Sequence, residues 1–260
     1  MLVLRIRILS IARAIFLIFT PIARVLESEA QRLQGKSYYP KIDKEVSAIL
    51  SKAGLTNDAS LVLFDVGANF GDYTNAFLKQ SKNVEIHCFE PSQFAFRTLT
   101  EKISTKNVYH HKVALSDSSG TQTLFYDFEG SGLASLSKRD LSHTGIEFGS
   151  SEMVNVDTLD NWASKYGIIP NLLKIDVEGF ELQVLKGAEK TLKFVKVVQF
   201  EFGGTSIDSR HFFKDYWDFF KMKNFRLYRL TPLGLKKIAR YSEELECFKF
   251  SNYYAVNNKL

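Results

Sequence analysis

The apolar run Leu61-Val62-Leu63-Phe64 breaks abruptly into Asp65-Val66-Gly67-Ala68-Asn69-Phe70-Gly71. A short buried strand that enters a glycine-rich turn and then a helix is the unit from which open α/β sheets are built, and the turn is where such sheets bind nucleotide-like ligands. Gly67 and Gly71 let the backbone pass where a side chain would collide. Asp65 and Asn69 place an acceptor and an amide at the strand's carboxyl end. The next apolar segment, Val84–Phe89, ends in Glu90, 25 residues after Asp65. An acid there commonly accepts hydrogen bonds from ribose hydroxyls, because an ionised carboxylate offers only lone pairs.

The charge of the turn narrows the ligand. Dinucleotide sites use Gly-x-Gly-x-x-Gly, whose free amides hold a pyrophosphate. Here the spacing is Gly-x-x-x-Gly, and an aspartate opens the turn. That carboxylate repels phosphate oxygens but suits a cofactor bearing ammonium and sulfonium groups. S-adenosylmethionine carries both and has no phosphate. An NAD-dependent oxidoreductase is disfavoured on the same ground.

A third junction repeats the pattern. Leu172-Leu173-Lys174-Ile175 runs into Asp176-Val177-Glu178-Gly179-Phe180-Glu181, and a helix is expected from about Phe180 to Lys193. With Asp65–Gly71, Phe89-Glu90-Pro91, Val113-Ala114-Leu115-Ser116-Asp117 and Lys174–Glu181 in this order, the chain resembles the FkbM-type methyltransferases over about Ser60 to Asn257. Leu185-Lys186-Gly187-Ala188, Tyr241-Ser242 and Ser251-Asn252-Tyr253 also fit. The resemblance implies a Rossmann-like class I methyltransferase fold, with a seven-stranded, mostly parallel sheet whose last strand is antiparallel. It implies S-adenosylmethionine as cofactor, bound by Asp65, Gly67, Ala68, Asn69, Gly71, Glu90, Ser116 and Asp117, with Ser116 and Asp117 at the adenine. It also supplies the substrate class, a sugar hydroxyl on a glycan, glycolipid or secondary metabolite.

The remaining pattern places strands near Val108–Leu115, Thr121–Asp127, Val197–Phe202, Phe225–Leu230 and Asn252–Val256. Helices are expected near Ile42–Ala53, Ser92–Ser104 and Asp208–Met222. Sequential βα units favour a right-handed, parallel arrangement on independent grounds. Residues 129–151, rich in Gly and Ser, form a long aperiodic stretch of the kind that serves as a functional loop, here a lid-like insertion over the cofactor mouth. The main domain is assigned to residues 37–260 and a helical extension to residues 1–36. The aromatic residues from Phe212 to Phe220 recur at helical spacing and are read as core.

Methyl transfer to oxygen is an in-line displacement that needs position, dry surroundings and a proton acceptor. Asp176, Glu178 and Glu201 stand at strand ends where the crevice of an open sheet opens, and are the candidate catalytic groups. No metal site is assigned. His143 lies in the expected lid, whereas His87, His110 and His111 lie on strands and are read as structural.

Composition excludes some partners. The net charge is +5, of which residues 1–60 carry +4 and residues 61–260 only +1. The catalytic portion therefore lacks the strongly basic face that duplex nucleic acid needs, and no nucleic-acid partner is expected. The basic residues between Lys221 and Arg240 are the best support for an alternative, RNA methylation. A non-catalytic, membrane-associated module with the same fold is a further alternative. Two cysteines, Cys88 and Cys247, suit a reducing, cytoplasmic setting. In residues 1–26, Ile8, Ile11, Ile15, Ile18 and Ile22 recur at spacings of three and four, with Arg13 and Arg24 opposite. That is the pattern of a basic amphipathic helix on an anionic membrane surface; a helix packed on its own domain or on a partner subunit competes with it. Arg13 interrupts the stretch too early for a span of about 20 residues.

Overall fold

The structure is a computed structural model that describes residues 20–54 and 61–260. Most of the amphipathic pattern in residues 1–26 lies outside the described residues. Its last part belongs to helix α1, described over residues 20–33, where Ile22, Val25 and Leu26 are exposed. Among the described residues, no helix is long and apolar enough to cross a membrane.

Helix α2 (Ile42–Ala53) follows, with Val46, Ile49 and Ala53 buried on one face and Gly54 closing it in the left-handed conformation. Then come β1 (Leu61–Val66), α3 (Asp72–Gln80), β2 (Val84–Phe89), α4 (Gln93–Lys102) and β3 (Val108–His111). After β3 the chain leaves the sheet to form β4 (Ala114–Leu115), β5 (Gly120–Tyr126) and β6 (Ser150–Asp157). These three make a small separate sheet in the order β4-β6-β5. Helix α5 (Leu159–Tyr166), β7 (Leu172–Ile175), α6 (Glu181–Lys186) and β8 (Val197–Phe202) complete the parallel part. The chain ends through α7 (Thr205–Ser209), α8 (Phe213–Met222), β9 (Phe225–Thr231), β10 (Gly234–Ile238) and β11 (Ser251–Asn257).

The main sheet has the order β10-β9-β11-β8-β7-β1-β2-β3. Strands β3, β2, β1, β7 and β8 are mutually parallel, and β11 inserts antiparallel between β8 and β9. This is the expected architecture with one strand more than seven: β10 pairs along the edge of β9. The expected strand Val108–Leu115 is two strands in different sheets, because the backbone breaks at Lys112-Val113 and Ala114 pairs with Val156 instead. The expected helix to Lys193 stops at Lys186, where Gly187 packs so close to the Ser116 carbonyl that a Cβ would collide with it. Phe213, Tyr216, Phe219 and Phe220 are core as expected, whereas Phe212 faces outward.

Register positions the site. Val66 lies opposite Phe89 on one side and Ile175 on the other, and Ile175 lies opposite Phe200. Gly67, Glu90 and Asp176, which follow the first three, therefore leave the sheet along one edge, and Glu201 lies in the same row within β8, paired with Asn252. The strand order reverses between β1 and β7, so this edge holds the topological switch point at which open sheets bind ligands.

Candidate active site

A cavity of about 410 Å³ opens along that edge, lined by residues of the β1 turn, the β2 end, the β7 end, α2, β4 and the loop after β5. At one flank the wall is apolar, from Ala95, Ala114, Leu115 and Leu124. At the other it carries Glu45, Lys174, Asp176 and Glu178.

Glu90 is nearly buried and ties two turns together. Its Oε2 accepts from the Asn69 N–H (2.8 Å) and its Oε1 from the Ser92 N–H (2.9 Å). Burial pushes the carboxyl up to about 7 against the pull of these two amides. Ala68 and Asn69 line the cavity beside it. Asn69 has a positive φ of 46° and an Oδ1 that is buried without a partner. Gly67 has φ 74°, and a Cβ there would run into the Asp176 carbonyl oxygen. The glycine thus lets β1 and β7 turn out of the sheet against each other.

Other expected cofactor groups lie behind the wall. Asp65 is fully buried and outside the cavity lining; its Oδ2 accepts from Thr74 Oγ1 (2.7 Å), and Lys174 Nζ lies 3.0 Å from its Oδ1. Gly71 is also outside the lining, and a Cβ on it would meet Ile103 and Leu99, so the constraint there is packing of α3 on α4. Ser116 and Asp117 do not reach the cavity: Ser116 is buried against Gly187, and Asp117 is exposed. The diversion of β4 into the second sheet carries both away, leaving Ala114 and Leu115 at the wall.

Asp176 lines the cavity with a side chain 46% exposed, 3.7 Å from Lys174 Nζ. Glu178 also lines it, in the left-handed conformation at φ 54°, a strain found more often at functional positions. Burial and then Asp176 push its carboxyl up to about 8, against the pull of Arg139. Glu201 lies near the end of β8 in the same row, outside the cavity lining. Burial, with Asp176, Glu178, Glu181 and Glu45 around it, holds its carboxyl well above the ordinary range.

Several side chains that shape the site are not among the candidate site residues read from the sequence, although Lys174 and Glu181 stand in the Lys174–Glu181 motif. Lys174 donates to the Gly67 carbonyl (2.9 Å) as well as pairing with Asp65. In the sequence it opens the Lys174–Glu181 motif, a charge inside an apolar strand. Glu181 is buried, and its Oε1 accepts from the Val177 and Gly179 N–H groups (3.1 and 3.2 Å), shaping the turn after β7. Arg139, in the stretch expected to be a lid, binds Glu178 through Nη1 (2.7 Å) and Asp208 through Nε (3.2 Å). Ser135 Oγ donates to the Glu178 carbonyl (2.8 Å). Glu45 reaches the cavity from α2, outside every motif. The histidines stand apart: His87 bridges His111 (2.9 Å) and Glu85 (2.8 Å) beside Trp162, and His143 is exposed. Among the described residues, no group of three or more His, Cys, Asp or Glu is arranged to hold a metal ion.

The strand order β3-β2-β1-β7-β8-β11-β9, parallel as far as β8 and with β11 inserted antiparallel between β8 and β9, is that of a class I methyltransferase. Residues 65–227 match the model of the methyltransferase FkbM domain, and the chain belongs to that family of S-adenosylmethionine-dependent methyltransferases. It is 25% identical to the 2-O-methyltransferase NoeI of Sinorhizobium fredii over 174 residues, 62% of this chain and 69% of that one. It is 33% identical to the hexuronic acid methyltransferase AglP of Haloferax volcanii over 143 residues, 53% of this chain and 54% of that one. A crystal structure of a methyltransferase FkbM from Methylobacillus flagellatus aligns with a TM-score of 0.47 at 16% identity, over 80% of this chain and 47% of that one. The chain thus spans only about half the length of the last two.

Proposed function

We propose that this methyltransferase transfers the methyl group of S-adenosylmethionine to a hydroxyl oxygen of a sugar. One observation carries the reading: the cavity flank beyond Asp176 is lined by carboxylates, which accept hydrogen bonds from hydroxyl donors and can take a proton. The two curated relatives, one a 2-O-methyltransferase and the other a hexuronic acid methyltransferase, support the same substrate class.

The residues present fit the cofactor. Glu90 keeps lone pairs for ribose hydroxyls after accepting its two amides, and the orphaned Asn69 Oδ1 supplies another acceptor. The apolar flank at Ala95, Leu115 and Leu124 suits an adenine. Asp176, half exposed and acidic, suits an ammonium group. In this reading Gly67, Ala68, Asn69 and Glu90 hold the adenosyl part, and Asp65 and Gly71 act from behind by fixing the turn. When bound, the cofactor supplies an electrophilic methyl carbon. The chain's own part is to orient the acceptor, exclude water and receive the hydroxyl proton, with the acids Asp176 and Glu178 on the cavity wall around that point and Glu201 behind it.

Residues 1–26 are assigned to contact with an anionic membrane surface, supported by the exposed Ile22, Val25 and Leu26 beside Arg24 on α1. Deletion of residues 1–30 is expected to lower co-sedimentation with anionic vesicles and leave cofactor binding intact.

The substrate reading is tested by incubating the protein with tritiated S-adenosylmethionine and a fractionated cell extract, followed by identification of the labelled product. Label in a sugar methyl ether is expected. Label recovered in RNA, with none in carbohydrate, overturns the assignment.

A further inference from the structure

Glu45 is a cavity-lining acid that stands outside the residues of the family match. Its side chain reaches the wall from the first turn of α2. Gln199 Nε2 donates to its Oε2 (2.8 Å), and Tyr73 Oη donates to Gln199 Oε1 (2.7 Å), which orients the amide. The carboxylate is therefore held in place from β8 and α3, with lone pairs left for a donor in the cavity. Asn252, on β11 opposite Glu201, stands near enough to favour the ionised form, and its Nδ2 is a buried donor without a hydrogen-bond partner.

Position separates this group from the cofactor's ribose end. Glu90 marks that end at β2, whereas Glu45 is anchored over β8, three strands away in the order β8-β7-β1-β2. At about 4.8 Å between strands this is roughly 14 Å. The cation whose charge reaches Glu45, Lys174, is committed to Asp65 at 3.0 Å, and Arg139, which holds the neighbouring wall acid Glu178, is shared with Asp208. Among the described residues that line the cavity, an anionic acceptor would find acids at this end and, as the one Lys or Arg, a Lys174 already paired with Asp65.

Resting on the sugar-hydroxyl reading, we propose that Glu45 is the catalytic base and that the acceptor sugar at this end is uncharged. The acceptor oxygen bonds to the methyl carbon as the carbon–sulfur bond breaks and its electron pair returns to sulfur; the hydroxyl proton passes to Glu45. Glu45 and Asn252 both lie outside residues 65–227, so this subsite comes from parts of the chain beyond the family match. Burial and then Asp176 push the Glu45 carboxyl up to about 7, against Lys174, Gln199 and Asn252. The titrating groups that face it are Lys174 on β7, Asp176 just after β7, Glu201 on β8, Tyr73 on α3 and Tyr254 on β11. A base near neutrality is well matched to proton removal at cellular pH.

The test uses the full chain with the substitutions Glu45→Gln and Glu45→Asp. Calorimetry with S-adenosylhomocysteine is expected to give affinities within about threefold of the unsubstituted protein, since Glu45 lies beyond the cofactor. Methyl transfer to methyl β-D-glucopyranoside, followed from about pH 6 to about 9, is expected to lose about 10²–10⁴-fold in kcat in Glu45→Gln. Glu45→Asp recovers part of it, and the acid limb near pH 7 vanishes with the carboxylate. Methyl β-D-glucopyranosiduronate is expected to be the poorer acceptor. A tenfold loss of S-adenosylhomocysteine affinity moves Glu45 into the cofactor site and overturns the proposal. Transfer retained within threefold in Glu45→Gln overturns the base, and preference for the uronoside overturns the uncharged acceptor. No transfer to either glycoside by the unsubstituted protein, with cofactor binding intact, overturns the sugar reading itself.

Discussion

Lys174 and Asp65 face each other across the β1–β7 pair in direct register, with Nζ 3.0 Å from Oδ1 and both side chains buried. Burial alone would lower the Lys174 ammonium, but Asp65 and then Asp176 outweigh it and hold it above its ordinary value. The same ammonium donates to the Gly67 carbonyl, so one cation neutralises the strand-end acid and braces the turn that lines the cavity.

Removing that cation strands a buried carboxylate. Lys174→Met is expected to destabilise the fold by about 3–5 kcal/mol in urea unfolding, the cost of breaking a buried pair from one side. The double substitution Asp65→Leu with Lys174→Met should cost less than the sum of the two single changes, because no charge is left unpaired. Strict additivity would mean that the pair is not coupled.

Glu90 is predicted to contribute to cofactor affinity through charge-assisted hydrogen bonds, each worth about 1.5–3 kcal/mol. Glu90→Gln is expected to weaken S-adenosylmethionine binding about tenfold, and Glu90→Ala about a hundredfold, by calorimetry. The alanine change costs more because it also frees the Asn69 and Ser92 amides. Unchanged affinity in both variants removes Glu90 from the cofactor site.

Arg139 joins the loop after β5 to Glu178 and Asp208. If residues 129–151 act as a lid, this guanidinium is its latch. Arg139→Ala should speed hydrogen exchange at the Ser135 and Ser137 amides at least about tenfold, with local opening as the mechanism. Arg139→Lys is expected to fall between, since an ammonium cannot reproduce the fork that spans two carboxylates. Equal exchange in all three proteins would assign the closure to the Ser135 contacts alone.

The pH dependence of stability has a definite sign at Glu181. Burial first, and more weakly Asp176, push its carboxyl up to about 7 in spite of its backbone hydrogen bonds. The folded state then binds a proton that the unfolded state has lost between about pH 4.5 and 7, so this group's contribution falls as pH rises through that window. Thermal melting without cofactor should show Glu181→Gln gaining on the unsubstituted protein between about pH 5 and 8. Parallel melting curves across that range would refute the shift.

Local sequence carried the strands and the order of the motifs. The run Leu61–Phe64, the glycines at 67 and 71 and the acids at 90 and 176 announce β-strands entering turns, because period, chain entropy and charge act within a few residues. Even the extra edge strand β10 changes little of that plan. Three-dimensional placement decided what each side chain touches. Asp65 and Lys174 are far apart in sequence, and only the β1–β7 register makes them partners. Ser116 and Asp117 stand beside an apolar pair that does line the cavity, yet the pairing of Ala114 with Val156 turns them away. Glu45 and Arg139 lie in segments without a motif, and packing against β8 and against Glu178 brings them to the site. Hydrogen bonds and ion pairs between distant residues depend on ångström-scale register and packing, which one chain's local pattern does not encode.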